Sequence, residues 1–153
     1  MGRPACALAM VVVLLTPSPI CAADDWESER QIRSEAARTR WEDREYQQAI
    51  ELLSQLLEGD RRNLARDDQR LWETLEQLSG WQLFVDAFQA ARRLREELLA
   101  LQIDALGADY WTIVGLRLAV AEVDLFQALQ PAQRDGLRRA YYLAKEARHL
   151  IDR

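Results

Sequence analysis

The sequence's strongest grouping of ligand-type side chains is Glu146-Ala147-Arg148-His149. Helical residues three apart share a face, and the Glu-x-x-His spacing is the one with which helical di-iron proteins aim a carboxylate and an imidazole at one metal pair. Those centres need a second such motif and two further glutamates. His149 is the only histidine in the chain, so one polypeptide cannot supply the other half, and the motif reads as a solvated helix face. Nucleophilic chemistry has no better footing. After residue 23 the serines are Ser28, Ser34, Ser54 and Ser79, none near His149 in sequence and none in a glycine-flanked turn, and a base without a placed nucleophile is not a catalytic site. The carboxylate pairs Asp67-Asp68 and Glu96-Glu97 occupy successive positions, which point in different directions on a helix, and Arg92, Arg93 and Arg95 stand as ion-pair partners for the second. No glycine-rich phosphate loop is present. The expectation is a chain with no enzymatic activity, no metal and no cofactor.

What remains is aromatic. Five tryptophans in 153 residues matter because tryptophan is enriched at binding hot spots. Trp72 and Trp111 lie on apolar stripes and are expected to pack inside. Trp26, Trp41 and Trp81 fall at helix ends, where a partner can reach an indole, and of Tyr141 and Tyr142 the second lies off the apolar face. These five are the candidate partner-binding residues.

The elements that must position them begin after a leader. Arg3 precedes an apolar run from Ala5 to Leu15, followed by Thr16-Pro17-Ser18-Pro19 and the small residues Cys21, Ala22 and Ala23. This is the layout of a secretory signal peptide. It predicts cleavage near Ala23 and export to a periplasmic or extracellular compartment, with residues 1–23 as signal and 24–153 as one helical domain. An uncleaved span would need about 20 apolar residues, and the run stops after Leu15. Both cysteines, Cys6 and Cys21, fall in the leader, so packing alone must hold the domain together. Removing Arg3 from the 20 basic side chains leaves 19 against 25 acidic ones, a net charge of −6, which argues against a nucleic-acid partner.

From Asp24 onward Pro131 is the only proline, and Leu, Ala, Glu, Gln and Arg dominate, a helical composition. Tyr46, Ala49, Ile50, Leu53, Leu56 and Leu57 recur at helical spacing. So do Phe84, Ala87, Phe88, Ala91, Leu94, Leu98 and Leu101. Gly59, Gly80 and Gly107 follow periodic runs at positions where glycine closes helices, and Asp24, Asp43 and Asp109 stand where N-caps are needed. Six helices are predicted, near 25–40, 44–58, 66–79, 82–106, 110–129 and 132–152, in hairpins of about 25–58, 66–106 and 110–152. The fifth carries two stripes, Trp111, Val114, Leu118, Ala121, Leu125 and Ala128 on one side and Leu116, Val120 and Val123 on the other. A two-sided helix belongs inside a stack. The fold class is therefore all-α, built of stacked antiparallel helical hairpins.

Tyr46-Gln47-Gln48-Ala49 followed by Leu53 and Leu56 resembles the second helix of a tetratricopeptide repeat. Phe84-Val85-Asp86-Ala87 through Leu106-Gly107-Ala108-Asp109-Tyr110-Trp111 is similar to the kinesin-light-chain class of that repeat, with Tyr110 where the class has histidine. The resemblance covers roughly 44 to 152 and looks like the leader region of a longer repeat array in large bacterial proteins. It implies a short right-handed array that scaffolds another protein or a peptide segment, and it places Ala87 where the two helices of a hairpin approach most closely. The early glycine of each first helix and the proline at the repeat end are missing.

The functional expectation is an exported protein-binding module or scaffold. The alternatives are a peripheral envelope protein resting an amphipathic face on lipid and the N-terminal part of a larger repeat protein. Membrane association is expected only in the precursor or peripherally, and helix 132–152 is a candidate face for self-association.

Overall fold

The structure, a computed structural model, describes residues 19–151, with side chains described at 25–140 and at 143. The apolar run of the expected signal peptide lies outside the described residues. Six helices follow in order: α1 (Pro19–Glu42), α2 (Tyr46–Asn63), α3 (Gln69–Phe84), α4 (Phe88–Leu106), α5 (Trp111–Ala128) and α6 (Pro131–Ile151). The fold is all-α, without strands among the described residues, and each helix from α1 to α4 packs on the next. α1 is described from Pro19, so it includes residues before the expected start at 25. The expected cleavage point near Ala23 falls inside this helix.

The core is the sum of the inward stripes. Ala49, Ile50, Leu53, Leu56 and Leu57 of α2 meet Leu71, Leu75 and Leu78 of α3 and Leu98 and Leu101 of α4, all buried. α1 contributes Ala37 and Trp41 to this cluster. A charged group joins the same three-helix junction. Asp60 is fully buried on α2 and accepts from Arg30 Nε at 3.0 Å and from Thr74 Oγ1 at 2.7 Å, so α1, α2 and α3 share one polar network. A buried carboxylate is tolerated only with such partners.

The two hairpin turns are copies of one another. Arg44 and Asp86 have φ of 65° and 63°, and the N-caps Glu45 and Ala87 share φ −82° and ψ 58°. The main-chain bonds Arg44 N–H to Trp41 C=O, Glu45 to Arg40 and Ala49 to Glu45 recur as Asp86 to Leu83, Ala87 to Gln82 and Ala91 to Ala87. The units are thus 42 residues apart, 44 to 86. Tyr46-Gln47-Gln48-Ala49 corresponds to Phe88-Gln89-Ala90-Ala91, with Ala49 and Ala91 both fully buried. The sequence frame that put Ala87 at the closest approach is therefore four residues early. Ala87 is a half-buried N-cap, and Ala91 fills the tight position.

Other punctuation differs as well. Gly59 and Gly80 lie inside α2 and α3 and end neither. Gly59 is needed for space, because a Cβ there would sit 1.9 Å from Trp26 Cη2. Only Gly107, at φ 88°, closes a helix as expected. Of the acidic residues, Asp68 is the one that caps, accepting the Arg70 main-chain N–H at 2.9 Å. Asp43 and Asp109 are not at N-caps, which are Glu45 and Tyr110.

The third hairpin departs from the first two. α5 lies on α4 through Ile113, Leu116, Val123 and Phe126, while α6 has no comparable packing on α5 among the described residues. α6 turns back across the hairpin turns. Arg134 Nε and Arg138 reach Asp86 Oδ1 at 3.1 and 2.5 Å, and Arg138 Nε donates to Phe84 C=O at 2.8 Å. The same guanidinium groups lie over the rings of Phe88 and Phe84. One turn further on, Arg139 and Leu143 stand beside Arg44 and Tyr46 of the first turn.

Candidate functional site

Two features stand out beyond the packing. The first is a cavity of about 350 Å³ beneath α6, walled by Trp41, Trp81, Phe84, Phe126 and Leu137, with Glu76, Gln77, Arg134 and Arg138 at its edge. Trp41 and Trp81 end the first helix of each hairpin and stack with centroids 4.5 Å apart and planes 3° from parallel. Tyr46 and Phe84 close on Trp41 at 4.8 and 5.2 Å. Gly80 leaves its wall open, since a Cβ there would meet nothing within 4 Å. The two arginines at the edge, Arg134 and Arg138, are both paired with Asp86. Burial works against the charge of Arg138, and its hydrogen bonds to Asp86 and Asp135 outweigh that, holding it above the ordinary arginine range.

The second feature is the outer face of α5. Trp111 is 75% exposed, Val114 58%, Leu118 67% and Leu125 68%, with Ala121 and Ala128 exposed between them. The positions advance by three and four in alternation, the spacing of a helix–helix seam. Monomeric surfaces seldom carry so long an unbroken apolar stripe. The polar residues along the stripe are Arg117, exposed and without an ionic partner among the described residues, Glu122, paired with Arg95 at 2.9 Å, and Asp124, paired with Arg92 at 2.5 Å.

Of the residues expected to meet a partner, Trp41 and Trp81 are brought together, but each is only 9% exposed. They are not free indoles, because α1 and α3 bring the two rings face to face near the ends of these helices. Trp26 is half-buried with its ring edge on Gly59, and its Nε1 is buried without a hydrogen-bond partner. The side chains of Tyr141 and Tyr142, like those of Glu146 and His149, lie outside those described. Trp72 packs on the core as expected and donates to Arg66 C=O at 3.0 Å. Trp111, expected in the core, is the most exposed of the large apolar side chains among the described residues. The signal for the α5 face was in the sequence as the first of its two stripes; that no helix covers it among the described residues was not.

Among the described residues no group of three His, Cys, Asp or Glu side chains is arranged to hold a metal ion, and no helix is long and apolar enough to cross a membrane. The chain matches no protein-family model and no curated protein.

Proposed function

We propose that this chain is an exported, tetratricopeptide-like interaction module without catalysis of its own, which binds another protein through the outer face of α5. The observation that carries this reading is the uncovered seam from Trp111 to Ala128. The duplicated turn at Arg44 and Asp86, with Ala49 and Ala91 in equivalent tight positions, supports the repeat reading. α5 is suited to the task because its inner stripe, Ile113 and Val123 fully buried, fixes it to α4 while the outer stripe stays free. Binding there needs no rearrangement of the core, which lowers the ordering cost of association.

The probe is a synthetic amphipathic helix with leucine and alanine at alternate seam positions, titrated while tryptophan emission is followed. Saturable binding lost in Leu118→Glu and unchanged in the exposed-site control Gln48→Glu supports the reading. Equal binding by Leu118→Glu would refute it. Pelleting with anionic vesicles that Leu118→Glu abolishes would assign the face to lipid instead, against the flanking carboxylates of Glu122 and Asp124, since lipid-facing helices favour lysine and arginine there.

A further inference from the structure

We infer that the occupant of the α5 face is α5 of a second copy of this chain, docked antiparallel across a two-fold axis that passes between Leu118 and Ala121. The inference rests on the reading of that face as a protein-docking surface and names its partner. A two-fold interface repeats every contact between residues i and j as one between j and i, and when the two helices run antiparallel the facing residues of a seam are different ones. The seam fits this arrangement from end to end. With Leu118 opposite Ala121 of the partner copy, Val114 falls opposite Leu125 and Trp111 opposite Ala128. The largest side chain then meets one of the smallest at both ends, and Leu meets Ala on either side of the axis, which is how facing helices reach native packing density. A parallel pairing matches like with like, setting Trp111 against Trp111 and leaving Ala121 and Ala128 each facing another alanine, crowded at one end and hollow at the other.

Charge favours the same register. The antiparallel pairing brings Arg117 alongside Asp124 of the partner copy, and the symmetry makes this contact twice. Arg117 is exposed and has no ionic partner in its own chain among the described residues. Asp124 holds Arg92 but keeps 57% of its side-chain surface open, so a second cation can reach it. Opposite charges flanking an apolar seam set partner choice and orientation. Arg134 and Arg138 hold α6 at the Asp86 turn, and the outer stripe of α5 stays exposed among the described residues.

Sedimentation equilibrium at micromolar concentration tests the inference, with the peptide probe above as a second readout. The wild type sediments as a dimer and Leu118→Glu as a monomer of unchanged helicity. Arg117→Glu weakens the dimer by about tenfold, as two charge-reversed pairs would, and Arg117→Glu with Asp124→Arg restores it. Restoration distinguishes the orientation, because a parallel pairing sets residue 117 against Glu122 of the other copy and gains nothing from a change at 124. A dimer indifferent to Leu118→Glu, or an Arg117→Glu defect that the second change does not repair, overturns the inference. A monomeric wild type that still binds the probe through Leu118 overturns self-pairing and spares the docking surface. A monomer that ignores the probe overturns both.

Discussion

Replacing Gly59 with alanine sets two effects of opposite sign against each other. Gly59 lies inside α2, where exchanging glycine for alanine ordinarily stabilises by about 0.5–1 kcal/mol through backbone entropy. Here the new Cβ would meet Trp26 Cη2 at 1.9 Å and Cζ2 and Cζ3 at 2.6 Å. Ordinary contact begins at 3.4 Å, so the indole must retreat by about 1.5 Å. The ring packs on the core and α1 carries it, so the retreat either lifts the start of α1 from α2 or forces Trp26 off its rotamer. Overpacking of this kind costs about 1–3 kcal/mol, and with a displacement this large the upper part of that range applies, which leaves Gly59→Ala destabilised by up to about 2.5 kcal/mol after the propensity gain. In a Trp26→Ala background the obstruction is gone, and the same change should stabilise by about 0.5–1 kcal/mol. Urea denaturation followed by far-ultraviolet circular dichroism on the four proteins of this cycle gives both numbers. A stabilising Gly59→Ala in the wild-type background, or an effect of the same size in both backgrounds, would refute the reasoning, because contacting residues must couple and independent ones add.

Asp60→Ala leaves the Arg30 guanidinium without its carboxylate in a buried junction and should cost about 3–5 kcal/mol in denaturant titration, while Arg30→Met with Asp60→Ala should recover much of it. Ala91→Leu overfills the tight position between α3 and α4 and should cost about 1–3 kcal/mol, whereas Ala87→Leu, at the half-buried cap, should cost clearly less; equal losses would show the 42-residue frame to be wrong. Hydrogen bonds from Arg70 hold the Asp68 carboxyl below its ordinary value of 3.8 despite some burial. A lowered folded-state value means that the charged form stabilises at pH above the unfolded value and that this contribution disappears as pH falls through the folded one. The stability gap between wild type and Asp68→Asn, read from thermal melts, should therefore be constant near neutrality and close below about pH 4; a gap that widened on acidification would reverse the assignment.

The number and order of helices were legible because the apolar positions of α2, α4 and α5 recur at helical spacing, and burial follows those stripes. The boundaries were misread at the turns. Glycine is the usual left-handed residue, so Gly59 and Gly80 drew the helix ends toward themselves, while the chain places Arg44 and Asp86 in that conformation. An arginine in such a position carries no sequence signal. The aromatic-x-x-alanine pattern occurs at both Phe84 and Phe88, and only the turn geometry selects the second. The tryptophans were ambiguous for a related reason, since a residue at a helix end is exposed or buried according to what the neighbouring hairpin sets beside it. Trp41 and Trp81 cover one another, and Trp111 stays 75% exposed. The path of α6 depends on Arg134 and Arg138 finding Asp86, a contact between residues about fifty apart that periodicity does not encode.

The central claim, that the outer face of α5 is open in the free protein and available for docking, is tested most directly by cysteine accessibility. With Cys6 and Cys21 replaced by serine, Leu118→Cys and Leu53→Cys are each labelled with a maleimide in dilute native protein and again in denaturant. The account predicts that Leu118→Cys reacts in the native protein almost as fast as when unfolded and slows as the protein is concentrated, whereas Leu53→Cys, in the core of α2, reacts only on unfolding. A Leu118→Cys protected in dilute native protein to the same degree as Leu53→Cys would contradict it.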